Sequence, residues 1–163
     1  MTRTRLLASL LFLLAVAPAQ ASQNLLFVMD ASGSMWGRID GQPKIVVARE
    51  VMSDLVGQLP ADARAGLVAY GHNRKGDCSD IETLRPLGTL DREGLVGQIN
   101  ALSPKGKTPI TATIRHAVRE IRALEDPVSV VLISDGLESC GGDPCAAVRE
   151  AREAGVDFRM HVV

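Results

Sequence analysis

Short apolar runs alternate with amphipathic segments along this chain, and this alternation constrains its fold more than any other feature. The run at residues 25–29 contains no polar residue, which is typical of a strand buried on both faces of a sheet. A second run, at residues 128–133, is apolar except for Ser129. Segments with apolar residues three or four positions apart, the helical pattern, separate these runs. We therefore predict a doubly wound α/β domain, with a mostly parallel sheet and helices on both faces.

The other elements follow from the same periodicities and from the positions of the prolines. Pro43, Pro109 and Pro144 each open a helical pattern, since proline is tolerated in the first turn of a helix. Pro86 favours a strand at the edge of the sheet, because proline cannot donate a hydrogen bond to a neighbouring strand. Further strands are predicted at residues 64–70, 81–87 and 156–163, a short helix at 91–102, and a polar loop at 31–42.

Composition narrows the possible functions. The chain has 163 residues, of which 46% are apolar, and this is enough for the core of one ordinary domain. Its net charge is −1, and only 3% of its residues are aromatic. Nucleic-acid binding requires a positive surface, usually with aromatic side chains that stack on bases. We therefore predict that nucleic acid is not a partner of this protein.

Five oxygen-bearing residues are predicted to meet at one edge of the sheet. Asp30, Ser32 and Ser34 follow the first strand, Asp135 follows a later strand, and Thr108 precedes a helix. Ligands of open α/β sheets bind at the carboxyl ends of the strands. In an extended turn, residues two positions apart face the same point, so the first three side chains can converge. Ligand sets made only of oxygen select hard divalent cations such as Mg²⁺.

In their order and placement, these residues resemble the metal-ion-dependent adhesion site of von Willebrand factor A-type domains. The resemblance implies that Ser32 and Ser34 bind the ion directly and that Thr108 binds it directly or through water. It implies that Asp30 and Asp135 act mostly through water. The implied ion is Mg²⁺, with Mn²⁺ or Ca²⁺ as alternatives.

The resemblance also implies a function and an extent for the domain. Neutral hydroxyls leave the charge of the ion incompletely balanced, and a protein partner supplies an Asp or Glu carboxylate to an open coordination position. The implied protein is thus a binding domain of the adhesion type and not an enzyme. It occupies residues 22–163. Because domains of this family usually continue through another helix and strand, we expect the carboxyl-terminal part to be missing here.

Other interpretations of these residues remain open at this stage. A metal-dependent phosphatase would use Asp30 as its nucleophile, although Ser32 stands where such enzymes carry a second Asp. A structural domain with a vestigial metal site is a further alternative. Thr108 is also a suitable helix cap. Trp36 is expected either near the site or in the core, and His72 either beside the site or elsewhere on the fold.

The amino terminus has the features of a secretory signal peptide. Arg3 and Arg5 precede an apolar run at residues 6–16, and Ala19 and Ala21 provide a small-x-small cleavage site. The run is about half as long as the ~20 residues of a membrane-spanning helix. We predict a signal peptide over residues 1–21, a periplasmic or secreted protein, and no transmembrane segment in the mature chain.

Export places the three cysteines in an oxidising compartment, where disulfides persist. Cys140 and Cys145 are close enough in sequence to bridge a short loop, and Cys78 is a competing partner for either one. An odd number of cysteines leaves one thiol without an intramolecular partner. The sequence does not choose between the pairings, but the spacing disfavours a zinc site.

Overall fold

A computed structural model describes residues 23–162, so the predicted signal peptide lies outside the described residues. Within this range the chain forms seven strands and four α-helices. The strands are β1 (Asn24–Asp30), β2 (Arg38–Ile39), β3 (Gln42–Pro43), β4 (Arg64–Tyr70), β5 (Ile81–Thr89), β6 (Val128–Ile133) and β7 (Phe158–Val162). The helices are α1 (Lys44–Gln58), α2 (Arg92–Ala101), α3 (Ile110–Ile121) and α4 (Pro144–Glu153).

The main sheet has five strands in the order β5-β4-β1-β6-β7. The central strand β1 pairs in parallel with β4 and β6, and β7 pairs in parallel with β6. Strand β5 is antiparallel to β4 and lies at an edge. The predicted α/β class and parallel sheet are therefore confirmed, and Pro86 lies in an edge strand as its missing N–H predicts.

Both faces of the sheet are covered by helices because β1 presents apolar side chains in both directions. On one face, Phe27 and Met29 pack in a cluster with residues of α1 and α2, among them Met52 and Leu95. On the other face, alternate residues of β1 pack against α3 and α4 in a second cluster. This two-sided burial explains why the sequence of β1 is a continuous apolar run and does not alternate.

The topology brings four loops to one edge of the sheet. The loops after β1, β4 and β6 lie side by side because these parallel strands are neighbours. The loop before α3 joins them through backbone hydrogen bonds: the N–H of Gly33 donates to the carbonyl of Gly106 at 3.0 Å, and the N–H of Lys105 donates to the carbonyl of Ala31 at 3.0 Å. This edge is called the rim below.

The segment at residues 31–42 is more ordered than the predicted loop. It contains a 3-10 helix (Gly33–Trp36) and the hairpin of β2 with β3. Asp40 and Gly41, the residues between these two strands, have positive φ angles of 50° and 85°. An Asp-Gly pair favours such a turn, so the sequence does contain a signal for the hairpin.

None of the helices in residues 23–162 is both long enough and apolar enough to cross a membrane.

The packing around Gly66 yields a test of the sheet. A Cβ at Gly66 would lie 2.9 Å from the backbone nitrogen of Leu87 and 3.0 Å from the carbonyl oxygen of Arg85. We expect Gly66→Ala to lower the free energy of unfolding by about 1–3 kcal/mol, because backbone atoms cannot easily yield to the added methyl group. Urea denaturation measures this change.

Gly88 is a matched control on the neighbouring strand. A Cβ there would meet only the carbonyl oxygen of Pro86, at 3.8 Å. Gly88→Ala is expected to change stability by less than about 1 kcal/mol, in the stabilising direction, because alanine restricts the unfolded chain. Equal losses for both variants would contradict the packing described for Gly66.

Candidate metal centre

The site begins with Asp30, the last residue of β1. Its side chain is fully buried, and both carboxylate oxygens accept hydrogen bonds. Oδ1 accepts from the backbone N–H of Ser32 at 2.7 Å, and Oδ2 accepts from the hydroxyl of Ser134 at 2.7 Å. Since Ser134 directly follows β6, this one carboxylate links the loops after the two central strands.

A chain of hydrogen bonds continues from Asp30 to Asp135. The hydroxyl oxygens of Ser32 and Ser34 are 2.9 Å apart, and the hydroxyl of Ser34 donates to Oδ1 of Asp135 at 2.8 Å. Ser32 is buried, whereas Ser34 is exposed on the rim. Four of the five predicted site residues therefore form one connected cluster.

Thr108 approaches this cluster from the loop before α3. A Cβ at Gly136 would lie 3.6 Å from the hydroxyl oxygens of both Ser34 and Thr108, so glycine leaves the space between them open. Thr108 is not the cap of α3, because Pro109 occupies the N-cap position and makes no side-chain cap bond. Ser139 fixes the Thr108 backbone, accepting its N–H at 2.8 Å and donating to its carbonyl at 3.0 Å.

The five predicted residues thus lie together at the rim, and their functional groups are oxygen atoms. Among residues 23–162, no group of three or more His, Cys, Asp or Glu side chains is arranged to hold a metal ion. The capacity for a cation therefore depends on the three hydroxyls beside the two carboxylates. Such a donor set fits a hard divalent ion that retains bound water.

Lys44, the first residue of α1, also belongs to this cluster. Its Nζ lies 2.6 Å from Oδ2 of Asp135, and the exposed fractions of the two side chains are 28% and 10%. Sequence reasoning missed this lysine because it is 91 residues from Asp135. Its position at a helix start was the one available signal, since a positive charge is unfavourable there.

Tyr70 and Ser134 support Asp30 from below the rim, and sequence reasoning missed both. The Tyr70 hydroxyl donates to Ser134 at 3.1 Å, and Ser134 donates to Asp30. Burial, followed by the negative charge of Asp30, raises the pKa of Tyr70 well above its usual value. Tyr70 therefore stays a neutral donor at physiological pH.

This environment does not favour the phosphatase alternative. A nucleophilic carboxylate must reach its substrate, but Asp30 has no exposed surface. Its two oxygens are also engaged by Ser32 and Ser134. The arrangement suits a carboxylate that organises neighbouring groups.

Trp36 and His72, for which the sequence left two positions possible, both lie outside the hydrogen-bonded cluster. Trp36 is 54% exposed, near the rim and not in the core, and its Nε1 donates to the carbonyl of Pro104 at 3.0 Å. His72 is buried, and its Nε2 lies 3.1 Å from a carboxylate oxygen of Glu82. The residue of this loop that contacts the site is Gly71, which precedes His72. A Cβ at Gly71 would lie 3.0 Å from the Ser32 backbone.

The disulfide joins Cys78 to Cys140, while Cys145 is a free, exposed thiol. Of the pairings that the sequence left open, the possible one between Cys140 and Cys145 is not formed, and the competing pairing of Cys140 with Cys78 is formed. The reason is the fold: the loops after β4 and β6 meet at the rim, although the two cysteines are 62 residues apart.

Glu138 orders the loop that carries Cys140. Its carboxylate accepts the backbone N–H groups of Thr111 at 2.8 Å and of Cys140 at 2.6 Å. Burial raises the pKa of Glu138, but these backbone donors outweigh burial and lower the pKa below its usual value. The loop beside Thr108 is therefore fixed by both the disulfide and this carboxylate.

Comparison with known proteins agrees with this architecture. A family profile, described as von Willebrand factor type A domain, matches residues 25–138. The Bacillus subtilis (strain 168) protein YwmD is 31% identical, over 90% of this chain and 70% of its own length. A solved von Willebrand factor type A structure from Catenulispora acidiphila has a TM-score of 0.67 and 21% identity, over 87% of this chain and 33% of that chain. The pilus adhesin SpaC from Lactobacillus rhamnosus GG has a TM-score of 0.69 and 13% identity, over 87% of this chain and 24% of that chain.

This chain belongs to the von Willebrand factor A family, because the profile covers more than half of it. The two solved structures are too distant in sequence to show more than a common fold. The chain spans a third or less of each of those solved chains.

The disulfide is expected to contribute strongly to stability. Replacing both Cys78 and Cys140 by Ser should lower the free energy of unfolding by about 2–4 kcal/mol, because the unfolded chain gains the entropy of a long open loop. Chemical denaturation of the oxidised protein measures the difference. Cys145→Ser is the matched control and is expected to be neutral, since this thiol is exposed and unbonded. A loss of stability confined to the control would contradict the pairing.

Proposed function

We propose that this protein is an exported binding domain in which a divalent cation at the rim accepts a carboxylate from a partner protein. The observation that carries the proposal is the convergence of Asp30, Ser32, Ser34, Thr108 and Asp135. Four of them are joined by hydrogen bonds of 2.7–2.9 Å, with Ser134 and Lys44 as additional partners. The fifth, Thr108, faces the same gap beside Gly136.

Mg²⁺ fits this donor set better than softer metals do. The side chains offer hydroxyl and carboxylate oxygens and no sulfur or imidazole, and Mg²⁺ is usually held by one or two carboxylates with retained waters. In the family pattern, Ser32, Ser34 and Thr108 would hold the ion most directly. Asp30 and Asp135 would orient its waters. Mn²⁺ and Ca²⁺ are the alternatives with the same preference for oxygen.

A bound ion would supply a localised positive charge that an incoming carboxylate can satisfy. The exposure of the site residues is consistent with this contact. Asp30 has no exposed surface, so its carboxylate does not occupy the solvent-facing side of the site. Ser34 lies at the surface, on the side from which a partner would approach. An Asp or Glu side chain of a partner is therefore the kind of group that can complete the site.

The fold relatives support a binding role. SpaC is described as a pilus adhesin, and its structure matches 87% of this chain. Export is supported by the Cys78–Cys140 disulfide, since such bonds persist in oxidising compartments. The amino-terminal pattern of a signal peptide gives the same indication.

Titration calorimetry of the mature protein with Mg²⁺ tests the metal site. We expect one binding site, weakened by about 10- to 100-fold in Thr108→Ala and in Ser34→Ala. Ser103→Ala removes a hydroxyl from the same loop as Thr108 but outside the ligand set, and this variant is expected to bind Mg²⁺ normally. Absence of heat with Mg²⁺, Mn²⁺ and Ca²⁺, together with unchanged thermal stability, would instead indicate a vestigial site, because a ligand of the native state must stabilise it.

A second experiment tests the partner. Immobilised protein is incubated with an envelope fraction of the source cell in Mg²⁺, and bound proteins are eluted with a chelator. We expect elution to depend on the chelator and to disappear with Ser34→Ala. Retention that is equal for both proteins would contradict a metal-dependent contact.

A further inference from the structure

We propose that Lys44 sets the charge of this site, so that a bound divalent cation keeps a net positive charge and accepts an anionic ligand. The inference rests on the proposed function and extends it to a residue outside the family's ligand pattern. Lys44 acts through Asp135 and is therefore a positioning and charge-determining residue, not a ligand.

The first support is the contact itself. The ammonium group lies 2.6 Å from Oδ2 of Asp135, while the other oxygen of the same carboxylate accepts the Ser34 hydroxyl. One side of the carboxylate is thus engaged by a cation and the other by a candidate metal ligand. This arrangement fixes the orientation of Asp135 toward the cluster.

The second support is that the surrounding backbone accommodates the lysine. The N–H of Lys44 donates to the carbonyl of Gly37 at 2.8 Å. A Cβ at Gly37 would lie 3.4 Å from Cε of Lys44 and 3.6 Å from its Nζ, which are ordinary van der Waals distances. The end of the lysine side chain therefore lies alongside this glycine, in contact with the loop that carries Ser34.

The third support is that a lysine at the start of helix α1 does not stabilise the helix. Lys44 is its first residue, and the first turn has no acidic side chain. The positive end of the helix dipole disfavours a cation there. A locally unfavourable residue is expected where a site requires it, and the ion pair with Asp135 is the interaction that compensates.

The charges of the cluster give the functional consequence. Asp30 and Asp135 alone would neutralise a divalent cation, and the hydroxyls carry no charge. With Lys44 included, the loaded site retains one positive charge. Lys44 should therefore weaken the binding of the metal and strengthen the binding of a carboxylate to the metal-loaded protein.

These opposite effects define the experiment. Mg²⁺ affinity is measured by calorimetry at low ionic strength for the wild type, Lys44→Gln, Lys44→Met and Lys44→Arg. Both neutral variants are expected to bind Mg²⁺ about tenfold more tightly or better, with a smaller gain at high salt. Lys44→Arg should resemble the wild type. Lys105→Gln removes an exposed lysine of the rim that makes no ion pair among the described residues, and it is expected to have no effect.

The second readout uses acetate as the probe carboxylate. Acetate is titrated into Mn²⁺-loaded protein, and displacement of metal-bound water is followed by water-proton relaxation. The neutral variants are expected to need about three- to tenfold more acetate than the wild type. Tighter metal binding combined with weaker acetate binding cannot arise from simple loss of structure, and circular dichroism checks that the variants fold.

The outcomes separate this inference from the proposed function. If the wild type binds Mg²⁺ but the neutral Lys44 variants bind it equally or more weakly, the role of Lys44 is overturned and the metal site stands. If the wild type binds no divalent cation, both proposals are overturned.

Discussion

The buried carboxylate of Asp30 is the interaction on which the rim depends. A charge without solvent contact is costly unless hydrogen bonds compensate it. Asp30 receives such bonds from the Ser32 backbone and the Ser134 hydroxyl, and Tyr70 donates to Ser134 in turn. These residues lie at the ends of β1, β6 and β4, so one carboxylate connects three adjacent strands. The loops above them are held at a fixed separation as a result.

The outer part of the site is fixed by independent interactions. The Cys78–Cys140 disulfide connects the loop after β4 with the loop after β6. Ser139, next to Cys140, holds the backbone of Thr108 through two hydrogen bonds. On the other side, the lysine that begins α1 contacts Asp135. The hydroxyls are therefore positioned by the backbone and by covalent linkage, which is the preorganisation that a binding site requires.

The sheet, and the meeting of the five oxygen-bearing residues at one edge of it, could be predicted from the sequence for physical reasons. Strands buried on both faces must be continuously apolar, and the residues that follow parallel strands must share one edge. The missed partners depend on tertiary contacts: Tyr70 and Ser134 are 64 residues apart, and Lys44 and Asp135 are 91 apart. The disulfide shows the same limit, because the sequence left both Cys145 and Cys78 open as partners of Cys140, and only the fold brings Cys78 beside it. Two overlooked signals were local: the Asp-Gly turn of the β2–β3 hairpin and the position of Lys44 at the start of a helix.

The two carboxylates of the site have different surroundings in the fold, and this difference separates an inner part of the site from an outer part. Each oxygen of Asp30 accepts a hydrogen bond from an internal donor, and the side chain is fully buried at the end of the central strand. Asp135 lies nearer the surface, and its contacts are the side chains of Ser34 and Lys44. Flexible side chains exchange partners more readily than backbone groups do. If a cation binds as proposed, the contacts of Asp135 are therefore the ones expected to change, while Asp30 keeps its internal donors and the loops around it keep their separation.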